Sequence, residues 1–173
     1  SLTPAGAQAE DPLSIGGGAI TSIAVGDKAV WVGSDDNWLR AAALDRKSVL
    51  GASRDTGGPV KTGVAVRPGT EEWAFALGEA ARIGGASSAG SSLPTPVYEF
   101  IAGPILSKSG KVCGVTSNTP SLLVCFPFDG VAFGTVSEAS VSGTMSTASP
   151  SSDAQGNIWT GSFDALTALV EQA

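Results

Sequence analysis

Short apolar runs alternate with polar, glycine-containing turns along the whole chain, the pattern of β-strands joined by tight connections. The pattern repeats, and the tryptophans mark it. Trp31 closes Gly26-Asp27-Lys28-Ala29-Val30-Trp31, Trp73 closes Gly69-Thr70-Glu71-Glu72-Trp73, and Trp159 closes Gly156-Asn157-Ile158-Trp159. Gly110-Lys111-Val112-Cys113 has the same shape with Cys in the Trp place. The spacings are 42, 40 and 46 residues, so four units account for nearly all of the 173.

Each unit reads alike. A first apolar strand is predicted at Ile20–Val25, Gly63–Val66, Phe100–Leu106 and Ser146–Ser151. The Trp-bearing strand follows at Ala29–Gly33, Glu72–Ala76, Val112–Thr116 and Asn157–Gly161, and a third at Trp38–Leu44, Ala80–Ile83, Leu122–Phe126 and Ala165–Val170. Val49–Arg54, Thr95–Phe100 and Val131–Val136 are candidate fourth strands, and Gly84–Ser92 reads as a flexible loop. The unit bounds are about 19–60, 61–98, 99–140 and 141–173. Residues 1–18 are a candidate closing strand, with Leu13 and Ile15 apolar on alternate positions.

No unit can bury a face alone, but units stacked around an axis can, and radial closure also protects sheet edges. The expected fold is all-β: a single domain built as a small four-unit, β-propeller-like repeat of three- to four-stranded antiparallel blades. The recurring aromatic is expected to pack between blades. The alternative is an irregular β-sandwich or barrel with a C-terminal helix, because Leu166, Leu169 and Val170 also fit helical spacing.

The segment Ile23-Ala24-Val25-Gly26-Asp27-Lys28-Ala29-Val30-Trp31-Val32-Gly33-Ser34 resembles a tectonin-type, WD40-like β-propeller repeat. Lys111–Asn118 with its leading Gly110, and Gly156–Ser162, are similar over about ten residues each. The resemblance implies a propeller and, as one expectation for function, a carbohydrate-binding lectin.

Composition narrows the chemistry. The chain has no His, which removes Ser-His-Asp and Cys-His catalysis and nearly all ordinary zinc sites. All ten bases lie in residues 1–111 against eleven acids, whereas residues 112–173 hold five acids and no base. Nucleic-acid binding needs clustered Lys and Arg, so none is expected. No apolar run approaches the roughly 20 residues that span a bilayer, so no transmembrane segment is expected. Ser1 stands first without Met, which predicts a processed N-terminus and leaves organellar, secreted and cytoplasmic locations open.

Few residues group into a candidate site. Asp35-Asp36-Asn37 lies in the first unit's polar turn, and oxygen-rich runs can bind Ca²⁺, but the EF-hand alternation is missing and turn chemistry explains it, so no metal is expected. Trp38 and Arg40 lie two apart on one strand and share a face. With Asp35 or Asp36 they form a candidate sugar platform, or one more core Trp beside a peripheral salt bridge. Glu71 and Glu72 point to opposite faces and make no acid pair. Gly16-Gly17-Gly18 lacks the Lys and helix of a phosphate loop. Cys113 and Cys125 face each other if their hairpin closes symmetrically about Thr119, and two readings stay open: small core residues, or a cross-strand disulfide implying an oxidising compartment.

The expected function is therefore a non-catalytic binding or scaffold protein, a subunit of a larger assembly with protein partners and no cofactor. Low charge, 15% of the chain, fits a surface covered by neighbours. The alternatives are the tectonin-like lectin and a propeller enzyme using Asp/Glu, Lys or Tyr98.

Overall fold

The structure, a computed structural model, describes residues 12–45, 47–56, 59–77, 79–83, 88–90, 98–142, 148–162 and 165–170 of the chain. Among these residues it is all-β, with no helix. Four small antiparallel sheets follow one another, and in each the strands pair with their chain neighbours. Sheet one holds β1 (Ile20–Val25), β2 (Ala29–Ser34), β3 (Trp38–Ala43) and β4 (Val49–Asp55). Sheet two holds β5 (Ala65–Arg67), β6 (Trp73–Ala76), β7 (Glu79–Arg82) and β8 (Ser88–Gly90). Sheet three holds β9 (Phe100–Leu106), β10 (Val112–Thr116), β11 (Leu122–Phe126) and β12 (Ser137–Ser140), and sheet four holds β13 (Ser151–Ser152), β14 (Ile158–Gly161) and β15 (Leu166–Leu169).

One turn design recurs. Between β9 and β10 the Ser107 N–H donates to Lys111 O at 2.9 Å and the Gly110 N–H to Ser107 O at 3.0 Å. Between β13 and β14 the Asp153 N–H donates to Asn157 O at 3.0 Å and the Gly156 N–H to Asp153 O at 3.1 Å. Gly110 and Gly156 occupy the same place, with φ of +81° and +98°, where a side chain would be strained.

Because successive strand residues point to opposite faces, each sheet has a forward and a backward face. The Trp position always points forward. Trp31 clusters with Ala29, Leu39 and Ala41 of its own sheet and with Ala74, Val64 and Val66 of the next. Trp73 and Phe75 cluster with Val112, Leu106 and Phe128, and Trp73 meets Phe128 edge-on at 4.8 Å. Cys113, Val115, Leu123 and Cys125 cluster with Ile158 and Leu169. Among the described residues, three of the four core clusters are thus seams, each joining a sheet to its successor, and the fourth gathers Tyr98, Phe133 and Val136 against Val124 and Phe126 of sheet three. Trp31 and Trp73 are buried in the seams; Trp159, at the same position of sheet four, is 41% exposed.

Polar bonds fasten the first seam. Glu72, fully buried, accepts from the Lys28 N–H at 2.9 Å and from Trp31 Nε1 at 2.9 Å. Its neighbour Glu71 points the other way, to an exposed pair with Arg82 at 2.7 Å.

Several expectations are corrected. The candidate fourth strand Val131–Val136 is not a strand. Asp129 accepts from the N–H groups of Val131 and Ala132 at 2.7 and 2.8 Å, which curls the chain, and Phe133 and Val136 fold onto Tyr98 and Phe126 instead. The fourth strand of that sheet is β12, paired Cys125↔Ser137 to Leu122↔Ser140. In sheet two the fourth strand is β8, inside the Gly84–Ser92 stretch expected to be loop: Ser88, Ala89 and Gly90 pair with Ala81, Ala80 and Glu79. Of Thr95–Phe100, residues 95–97 lie outside the described residues, and Phe100 opens β9. The first strand of sheet four begins at Ser151, directly after Pro150; residues 146–147 lie outside the described residues. Leu13 and Ile15, the basis for a closing strand, lie in no strand, and residues 1–11 are outside the described residues. The C-terminal helix is excluded because Leu166–Leu169 pairs with Ile158–Gly161 as a strand.

Glu72→Ala removes the acceptor of two donors and is expected to cost about 2–4 kcal/mol in urea unfolding, whereas Glu71→Ala, at a solvent-exposed pair, should cost under about 1 kcal/mol. Equal effects would show that Glu72 does not hold the seam.

Candidate functional site

The first polar turn brings together the four residues singled out from sequence. Asn37 takes the left-handed position of the turn, φ +71°, and its carbonyl accepts from Thr56 N–H and Oγ1 at 2.7 and 2.9 Å. The turn sends Asp36 back over β3, where Arg40 meets it with two parallel bonds, Nη1 to Oδ1 at 2.8 Å and Nη2 to Oδ2 at 2.6 Å. Ser34 Oγ donates to Asp36 Oδ1 and accepts from Arg40 Nη1 at 2.8 Å. Arg40, Ser34 and the Gly18 N–H hold the Asp36 carboxyl well below the usual carboxylate range. The Arg40 guanidinium also lies 5.8 Å from the Trp38 ring centre.

A further segment belongs to this site and was missed from sequence. Gly17 and Gly18 run against the turn so closely that a Cβ on Gly17 would collide with the Asp36 carboxylate and lie 2.6 Å from Arg40 Nη2. One on Gly18 would collide with Asp35 and lie 3.1 Å from Asp36 N. Gly17 and Gly18 are a close-approach device rather than a phosphate loop. Their signal in the sequence is the glycine run itself.

Chemically, the arrangement is largely self-satisfied. Arg40 commits both terminal nitrogens to Asp36 and Ser34 through three of its five N–H donors. What faces solvent is the exposed Asp35 and Trp38, the latter 36% exposed.

Two other groups carry perturbed acids. Asp153 stands at the turn into β14; Oδ2 accepts from Trp159 Nε1 and Asn157 Nδ2, each at 2.8 Å, and Oδ1 from the N–H groups of Gln155 and Asn157, each at 2.9 Å. These bonds, the indole first, lower its pKa to about 2. Tyr98 is buried and donates to Glu138; burial first, then that carboxylate, pushes the phenol up to about 12, away from acid–base work near neutrality. Cys113 and Cys125 are directly opposed in β10 and β11, with Cα atoms 4.1 Å apart and the sulfurs bonded. Among the described residues no three His, Cys, Asp or Glu side chains come together as metal ligands, and no helix is long and apolar enough to cross a membrane.

Compared with known proteins, the chain matches no protein-family model and no curated protein at a significant level.

The Asp153 bonds give a pH test. The folded pKa lies below the ordinary 3.8, so the bonds add stability above that pH and lose it as pH falls towards about 2. Wild type is expected to melt above Asp153→Asn at pH 7, with the gap closing between pH 4 and pH 2. A gap independent of pH would show that the charge is not what matters.

Proposed function

We propose that this protein is a non-catalytic binding or scaffold module, a subunit of a larger assembly, whose four sheets stand as propeller-like blades of tectonin type. One observation carries the reading: large apolar side chains stand exposed at both ends of the series of sheets. On sheet one, Ile23 and Val25 are 60% and 70% exposed; on sheet four, Trp159 and Leu166 are 41% and 76% exposed. Contiguous exposed apolar surface marks interaction sites rather than ordinary protein surface. The blade arrangement is supported by the first strands, which neighbour one another in order, β1 with β5, β5 with β9 and β9 with β13. The buried Cys113–Cys125 bond points to assembly in an oxidising compartment.

A photo-crosslinking residue at Val25 or at Trp159, activated in native extract, is expected to give discrete species larger than the monomer, while the same group at the exposed turn residue Lys108 gives none. Monomer-sized product at both end faces would overturn the proposal.

Carbohydrate binding is the second reading, favoured by the half-open Trp38 ring beside Arg40 and Asp36. A glycan array run with and without Ca²⁺ should then show a binder whose affinity falls at least about tenfold in Trp38→Ala, the loss expected for one stacking ring. An array without a binder removes it.

A further inference from the structure

One cation in the second seam lacks an acid. Arg67 ends β5 opposite Trp73, on the forward face of sheet two. Its guanidinium carbon lies 5.6 Å from the Phe75 ring centre and 5.4 Å from that of Phe128, and Nη1 donates to Phe128 O at 3.3 Å. Among the described residues that is the guanidinium's single hydrogen bond, so most of its five N–H donors stay uncommitted. The side chain is half-buried and carries its charge at every pH the fold survives.

The elements packed against Arg67 bring further positive charge and no acid to meet it. The β9–β10 turn comes so close that a Cβ on Gly110 would lie 3.8 Å from Arg67 Cδ and 3.9 Å from Nη1. That turn, Ser107–Lys111, carries Lys108 and Lys111 and no carboxylate, and Lys108 is exposed. The acids of the flanking segments are engaged elsewhere. Glu71 pairs with Arg82 at 2.7 Å, and Glu72 is held in the first seam by Trp31 Nε1 and the Lys28 N–H. Asp129, next to Phe128, turns Oδ1 onto the N–H groups of Val131 and Ala132 in its own loop. The two rings and the Phe128 carbonyl already fix the Arg67 stem, so little rotamer freedom is left to lose when the guanidinium takes a ligand.

We infer that Arg67, with Lys108 and Lys111, holds a tetrahedral oxyanion, a sulfate or phosphate group, at the mouth of the second seam. A guanidinium offers two parallel N–H donors to two oxygens of such a group, and the two lysines leave enough positive charge beside it to balance a dianion. The group arrives as the free ion or as an ester on a small sugar. This site stands apart from the Trp38 platform, which lies on sheet one.

The test uses the purified full chain with its disulfide intact, followed by amide NMR at fixed ionic strength. Sodium sulfate and sodium phosphate, each replacing sodium chloride, are expected to give saturating shifts at Arg67 and Lys108–Lys111 and none at Asp35–Trp38. A glucose monosulfate is titrated beside them, with glucose as its control. Binding at least tenfold tighter than sulfate assigns the site to the sugar ester, and equal binding assigns it to the free ion. Arg67→Lys keeps the charge but loses the fork, and should weaken sulfate at least about tenfold, the loss of one or two charge-assisted bonds. Lys108→Gln changes an exposed side chain outside the core and should weaken it about threefold, so the site is still tested if Arg67→Lys disturbs the rings. No saturable shift with any of the three anions overturns the inference, as does an affinity that neither substitution changes.

Discussion

Four small sheets share one constraint: none is large enough to bury a face unaided, so each depends on the next for its core. The forward face of one sheet against the backward face of its successor is therefore the unit of stability. Trp31, Trp73 and Cys113 are the centres of the three seams, and apolar side chains from both sheets surround each. Where the centre is a Trp with an unmet N–H, the next sheet must bring an acceptor into a dry place. Glu72 does so, and it is held by two donors, Trp31 Nε1 and the Lys28 N–H, so its buried charge is shared rather than orphaned. Gly26 belongs to the same device: a Cβ there would run into the Glu72 carboxylate.

The third seam replaces a ring with a covalent bond. Cys113 and Cys125 are smaller than Trp, yet their bond locks the two central strands of sheet three and closes a loop with a sequence separation of 12. In the chain-entropy picture a loop of that size contributes about 3 kcal/mol. That is comparable to what a buried large side chain contributes, about 3–5 kcal/mol on truncation. The repeat keeps its geometry while the means of holding the seam changes.

Strands were legible wherever β-branched and aromatic residues carry the pattern. Ile20–Val25, Phe100–Leu106, Val112–Thr116 and Leu122–Phe126 end where composition places them. The fourth strand of sheet one, Val49–Asp55, was legible as well, but those of sheets two and three were not, because they are edge strands added to a paired neighbour and need backbone, not apolar side chains. Ser88–Gly90 and Ser137–Ser140 hold almost no apolar mass yet complete their sheets through register with β7 and β11. Conversely Val131–Val136 looks like a strand but follows an aspartate that caps its first amides. At the first turn the grouping of Asp36, Trp38 and Arg40 was legible from strand alternation alone. That Gly17 and Gly18 lie over the Arg40–Asp36 pair depends on contacts about 20 residues apart, which spacing within one strand cannot reveal.

A repeat whose seams were all alike could slip, with any sheet stacking on any other. Here the residue before the Trp position is aliphatic in three sheets, Val30, Val112 and Ile158, and acidic in one, Glu72. Only Glu72 answers the unmet indole of Trp31; placed against Trp73, whose neighbours are Phe128 and Val112, it would be a buried carboxylate among rings. Asp153 performs the reverse service by satisfying the Trp159 indole from within its own turn. The pairing of sheet one with sheet two is thus written in a polar residue. Apolar surface says that two faces will meet, and the position of that carboxylate says which two.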